Sequence, residues 1–335
     1  MRRQFIKLAM AFAAALAASA APALAQTKIV LNNDGSSLSI KGQAMQIWKD
    51  EIEARLGDDV TVELHHAGSL FDQKSQIQGV QLGMVQIIAP AIGIYTSNAP
   101  NISVLSLPYL LETPTQVQAA IEDPIVAAAF EGDLESRNIK LLDVWPNGPK
   151  DFFYKGDRPI LVPEDMRGFK FRVQAVPADL ETMRVLGANG ISMTWTKVPT
   201  ALQQGVIDAI EPSANAVVSA GMVETIDQMT RVGYQYSFFV VGVNKGWWDT
   251  MPEDQRAAIS EALDVATDWI TQNAKEANAE AYALMAEKGV VIHDITPEQR
   301  QLWIDAVAPV WESYGVNLAG EKVMNRLKEI AATVE

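Results

Sequence analysis

Hydrophobic residues recur along this chain at two spacings, and the spacing assigns the elements. In "KIVLNN", "VTVELHH" and "MVQIIAP" the apolar positions fit short strands. Between them, "IKGQAMQIWKDEIEARLG" carries an apolar stripe of Ala44, Ile47, Trp48, Ile52 and Leu56 at helical intervals, and "FDQKSQIQGVQLG" reads as a second helix. A β-α-β-α-β order implies a largely parallel sheet covered by helices. "ISVLSLPYLL" continues the apolar content, and "TPTQVQAAIEDPIVAAAFEGDLESRN" is helical behind a Thr-Pro start signal.

"IKLLDVW" predicts a further strand, and the pattern breaks at "PNGPKDFFY". A second β/α unit runs from "RPILVPEDMRGFKFRV" to "GVIDAIEP". Inside it, "GFKFRV" alternates Phe169, Phe171 and Val173 on one face with Lys170 and Arg172 on the other, and a helix over "PADLETMRVLGAN" follows. Arg172 therefore falls at the C-terminal end of a strand, where α/β proteins bind ligands. "YSFFVVGVN" is a strand too apolar to be solvated on either face. The stretch "WWDTMPEDQRAAISEALDVATDWITQNAKEANAEAYALMAEKG" predicts one or two long helices, and "ITPEQRQLWIDAVAPVWESYG" a closing one.

The N-terminus changes the picture. "MRRQFIKLAM" is a basic n-region, "AFAAALAASAAPA" an apolar h-region, and "ALA" before Gln26 a small-x-small cleavage site, so residues 1–25 read as an export signal. Their apolar run is too short and too weak for a membrane span. "RRQFIK" also resembles a twin-arginine signal, so both the Sec and twin-arginine routes stay open. Removing this segment leaves 335 − 25 = 310 residues, with 27 − 3 = 24 basic against 41 acidic side chains, a net charge near −17. That balance argues against nucleic acid and anionic membrane surfaces as partners. There is no cysteine, hence no disulfide, thiol nucleophile or lipid-modified cysteine. The expected product is a soluble periplasmic protein of about two domains without a low-complexity linker between them.

Catalytic signatures are missing: no G-x-S-x-G, H-E-x-x-H, P-loop or G-x-G-x-x-G pattern occurs. The three histidines are His65, His66 and His293, and the adjacent pair points to opposite faces of a strand, so no metal site is expected. Nothing calls for a cofactor. Trp247 and Trp248 read as packing at a helix start. Trp195, in the turn-like "SMTWTKVP", is either a core plug or a pocket wall. Arg172 is either a surface residue paired with one of many acids or a clamp on a ligand carboxylate, for which a planar guanidinium is suited. Lys170 reads as solvated.

Several of these segments together resemble the DctP-type solute-binding proteins of tripartite ATP-independent periplasmic (TRAP) transporters. The resemblance rests on "RPILVPEDMRGFKFRV", "LGANGISMTWTKVPTALQQGVIDAIE" and "VGVNKGWWDTMPEDQRAAI", with "SLFDQKSQIQGVQLGMVQI" and "LSLPYLL" in the N-terminal half. It implies a two-lobed α/β clamshell with a long helix spanning both lobes. The expected lobes are residues 26–147 plus about 238–277, and 148–237 plus about 278–335. By resemblance Arg172 holds the ligand carboxylate and Trp195 is a pocket wall. Lys150, in "NGPK", stands where many members carry a second arginine, and Glu211 is retained in "EPSAN". Pro212 replaces a usual asparagine, for which Asn215 could substitute, a plain helix-surface role being the other reading. Pro212 gives no support for a cation bound with the ligand. The implied function is capture of a small organic acid for a membrane permease, by a monomer that does no chemistry. A receptor for a sensor system and an exported enzyme acting on organic acids are the alternatives.

Overall fold

The computed structural model describes residues 26–334, so the export-signal reading lies outside the described residues. Among the described residues nine strands form one sheet: β1 (Thr27–Asn32), β2 (Val60–His65), β3 (Ile87–Ile88), β4 (Ile139–Tyr154), β5 (Lys170–Val173), β6 (Asn189–Ser192), β7 (Ala209–Ile210), β8 (Gln228–Asn244) and β9 (Val291–Asp294). The order is β2-β1-β3-β8-β4-β7-β5-β6, with β9 added to β8. Two parallel wings, β2-β1-β3 and β7-β5-β6, flank a long antiparallel ribbon of β4 and β8. The wings join opposite ends of that ribbon. β3 pairs with β8 at Ile87↔Val243, whereas β7 pairs with β4 at Phe153↔Ile210, beside the start of β8. Each wing is the β/α unit that the apolar periodicity predicts, and the ribbon turns one sheet into a two-lobed α/β fold.

One expected break is absent. β4 runs unbroken through "PNGPK" to Tyr154, because the ladder shifts register between Pro146 and Gly148 and again between Lys150 and Phe152. Those shifts absorb residues that a regular ladder rejects. Gly148 is obligatory there: its φ is 141°, and a Cβ would lie 2.4 Å from Asn278 Nδ2. β8 begins eight residues before "YSFFVVGVN", and so includes the more polar "QMTRVGYQ".

The long helix is Glu253–Glu287, preceded by a short helix, Lys245–Thr250, and broken from it at Met251-Pro252, where proline suits a helix start. Its 35 residues extend about 50 Å. Near its start Ile259, Ala262, Leu263, Ala266 and Ile270 pack with Trp48 and Ile52 of the helix Ile40–Leu56 under the first wing. Near its end Ala281 and Met285 pack with Ile210 and Val217 under the second. One helix thus serves both lobes. Trp248 is buried in the first-wing core, a packing role. Among the described residues no helix is long and apolar enough to cross a membrane.

Candidate functional site

The second wing sets the site's key side chain. Phe171 is fully buried and meets Phe152 edge-on, with ring centroids 5.2 Å apart, and Phe152 meets Trp303 at 5.4 Å. Strand alternation then sends the neighbouring Arg172 to the other face, into a cavity of about 620 Å³ counting the part open to solvent. Both wings and the ribbon line it: Asp34, Lys41 and Gln73 come from the first wing and its loops, Arg172, Trp195 and Glu211 from the second, and Asn147, Lys150, Ser237 and Phe239 from β4 and β8. All five residues singled out in the sequence, Arg172, Lys150, Glu211, Trp195 and Asn215, line this one cavity.

Arg172 is 2% exposed, which excludes the surface reading. Its Nε and Nη2 donate to the Met193 carbonyl at 3.0 and 2.9 Å, and Nη2 also donates to Gln73 Oε1 at 3.1 Å. The Trp195 ring lies 5.3 Å from the guanidinium carbon, so this half-buried tryptophan covers the arginine on the cavity wall while also packing against the second-wing core. No carboxylate forms an ion pair with Arg172 among the described residues. Burial pulls its pKa below the ordinary value, against the attraction of Glu211 and Asp179. An arginine stays charged under such a shift. A buried, formally unpaired cation faces the cavity.

Lys150 is different. Its Nζ lies 3.0 Å from Glu211 Oε2 and 3.8 Å from Asp179 Oδ2, and the three side chains are almost wholly buried. Burial works to lower the lysine pKa, but Asp179 and Glu211 together raise it above its ordinary value. Burial, then the charge of Glu211, holds the Asp179 carboxyl above the usual range. Glu211 Oε2 also accepts from Tyr234 Oη at 3.0 Å, while Oε1 has no partner among the described residues.

Asn215 is buried rather than on a helix surface. Its Nδ2 donates to the Asn147 carbonyl at 2.8 Å and reaches Asn278 Oδ1 at 3.1 Å, tying the helix Ala214–Ser219 to β4 and the long helix. Its amide donors are committed within the protein, and Oδ1 is left without a partner. Lys170 sits partly exposed against Asp208 at 3.2 Å, the solvated role expected of it. His65 and His66 stand near Glu63 and Asn33 respectively, and no group of three metal-ligating side chains occurs among the described residues.

Sequence reasoning missed the pair Lys41–Asp34, nearly inaccessible to solvent, with the Lys41 ammonium 4.4 Å from the Phe239 ring centroid. One signal was present: Lys41 is a cation in the first turn of the helix Ile40–Leu56, where the helix dipole opposes it. Asp179 and Gln73 were also missed.

On the opposite face of β4 from Lys150, Asp151 accepts from Tyr282 Oη at 2.6 Å and from the Gly233 amide at 2.9 Å. Burial outweighs these bonds and pushes its carboxyl up to about 6. Because the folded pKa is raised, the stability it contributes is present below pH ~4 and is lost as pH rises through about 6. Urea unfolding between pH 4 and 7 should show a decline of about 2–3 kcal/mol from this group, absent in Asp151→Asn. An identical pH profile in the variant would assign the decline elsewhere.

Comparison with known proteins agrees with this architecture. The family model "Bacterial extracellular solute-binding protein, family 7" (DctP) matches residues 31–317. The C4-dicarboxylate-binding periplasmic protein DctP of Rhodobacter capsulatus is 28% identical over 84% of this chain and 85% of its own length. The 2,3-diketo-L-gulonate-binding periplasmic protein of Escherichia coli is 27% identical over 88% and 89%. A TRAP periplasmic solute-binding protein of Shewanella oneidensis, solved with bound succinate, superposes with a TM-score of 0.87 at 25% identity, covering 92% of this chain and all of that one. With a family match spanning residues 31–317 and a superposition over 92% of its length, this chain belongs to the family 7 bacterial extracellular solute-binding proteins.

Proposed function

We propose that this protein is a periplasmic receptor that captures a small organic acid between its two lobes and delivers it to a TRAP permease. The observation that carries the reading is Arg172: a buried guanidinium, without a carboxylate partner among the described residues, in a cavity lined from both wings. A carboxylate ligand supplies the counterion that this site lacks. Arg172 is assigned the carboxylate clamp and Trp195 the wall that covers it. Lys150, Glu211 and Asn215 bound the rest of the ligand. The lobes are residues 26–147 with about 238–277, and 148–237 with about 278–316; the expected bound of 335 is shortened because the helix Asn317–Thr333 packs back on the first-lobe core through Val323, Met324, Leu327 and Ile330. Their hinge is the β4–β8 ribbon, with the long helix as a shared strut. Contacts from both lobes stabilise the closed state, which is the form the permease reads. The protein does no covalent chemistry in this reading. No nucleophile–base pair lines the cavity among the described residues, and its carboxylates are engaged by lysines or by hydrogen-bond donors.

A thermal-shift screen of organic acids tests the reading, since a ligand at a hundred times its Kd stabilises by about 2.7 kcal/mol. The acid should be recovered intact afterwards; turnover would make the protein an enzyme. With a saturating ligand, small-angle scattering should give a smaller radius of gyration than without it. Superimposable curves for an acid that binds would remove lobe closure from the mechanism.

A further inference from the structure

We infer that the cavity selects an acid carrying a single carboxylate together with at least one hydroxyl group, and disfavours dicarboxylates. This rests on the receptor reading above and departs from the succinate held by the Shewanella relative. Three cations reach the cavity, and two of them are already neutralised. Lys41 is paired with Asp34, and Lys150 stands between Glu211 and Asp179. Of these three, Arg172 alone has no carboxylate partner among the described residues. A first ligand carboxylate gives Arg172 its counterion. A second would meet ammonium groups with acids of their own and would lie close to Glu211 or Asp179, both buried, where like charges repel strongly.

The unpaired atoms of the site point the same way. Glu211 Oε1 and Asn215 Oδ1 are buried without partners, and both belong to side chains that line the cavity. An ionised glutamate oxygen and an amide carbonyl oxygen only accept hydrogen bonds. A second ligand carboxylate is also acceptor-only, so it would leave both unsatisfied and add repulsion. A hydroxyl donates, and so repairs the deficit without adding charge. Glu211 needs no cationic donor, because Lys150 already supplies its counter-charge at 3.0 Å. The site therefore asks for neutral donors beyond the carboxylate, and a site built around buried acceptors rejects an analogue that cannot satisfy them.

Calorimetry with the purified chain on matched acids tests this, each pair differing by hydroxymethyl against carboxylate: glycerate with tartronate, 4-hydroxybutyrate with succinate, and galactonate with galactarate, plus butyrate as the hydroxyl-free control. A hydroxy monoacid should bind at least about tenfold more tightly than its diacid counterpart, and butyrate should be weaker than 4-hydroxybutyrate by a similar factor. Glu211→Gln frees Lys150 from its nearest acid and replaces an acceptor with a donor, so it should shift the monoacid-to-diacid ratio towards the diacid by about tenfold or more. A purely structural glutamate would weaken both members of a pair equally. Diacids binding as tightly as their partners, or an unmoved ratio in Glu211→Gln, would overturn the inference while leaving the receptor reading intact. Failure of every acid in the set to bind would overturn the carboxylate reading beneath it.

Discussion

Arg172→Ala is expected to cost roughly 2–5 kcal/mol of acid binding while leaving the protein folded. Much of that loss is the penalty on a ligand carboxylate left buried without a partner. The guanidinium is already oriented: Nε and Nη2 hold the Met193 carbonyl, Gln73 receives a further bond, and Trp195 covers the plane. The two Nη1 protons have no partner among the described residues, and in the receptor reading they are the donors left for the ligand carboxylate. Pre-organisation of this kind is why Arg172→Lys should fail nearly as badly. One ammonium cannot serve Met193, Gln73 and a carboxylate in a single plane. The fold survives because Phe169, Phe171 and Val173 pack on the other face of β5 into the second-wing core. Lys170→Ala removes a partly exposed pair with Asp208, worth at most about 1 kcal/mol, and should leave affinity alone. Calorimetry with an acid from the screen, beside urea unfolding, decides the matter: normal affinity in a folded Arg172→Ala protein would remove the arginine from the site.

Arg172 was legible because a strand has period two, and five residues suffice to say which face a side chain takes. The wings were legible for the same reason, since their strands and helices each bury one continuous stripe. The ribbon was not. Pro146, Gly148 and Pro149 break a regular strand locally, and the register shifts that rescue β4 depend on β8, far away in sequence. Nor was the charge balance of the cavity. Gln73 meets Arg172 across 99 residues, and Lys150 reaches Asp179 and Glu211 from different strands and helices. "NGPK" shows that a lysine is present; only the tertiary packing shows that it is already neutralised.

Lys150→Met should destabilise the fold itself by about 3–5 kcal/mol at neutral pH, with or without ligand. Removing the ammonium leaves Glu211 and Asp179 buried, close together and without a cation, a far worse state than the intact cluster. The Asp179 carboxyl would then favour its protonated form, because burial and Glu211 already hold its pKa up and the opposing Lys150 charge is gone. The raised folded pKa of Asp179 puts its stability at acid pH and removes it as pH rises through that value, so the variant should recover part of its loss on acidification. Lys150→Arg keeps a positive charge between the two acids and should keep most of the stability. In the double variant Lys150→Met/Glu211→Gln one of the two uncompensated charges is gone, so the combined cost should be smaller than that of Lys150→Met alone, a coupling a double-mutant cycle reads directly. Urea unfolding at pH 5 and pH 7.5 measures each of these differences. Wild-type stability for Lys150→Met at the higher pH would mean that the lysine neutralises neither acid, and the cavity would then hold a second cation free to receive a ligand's second carboxylate.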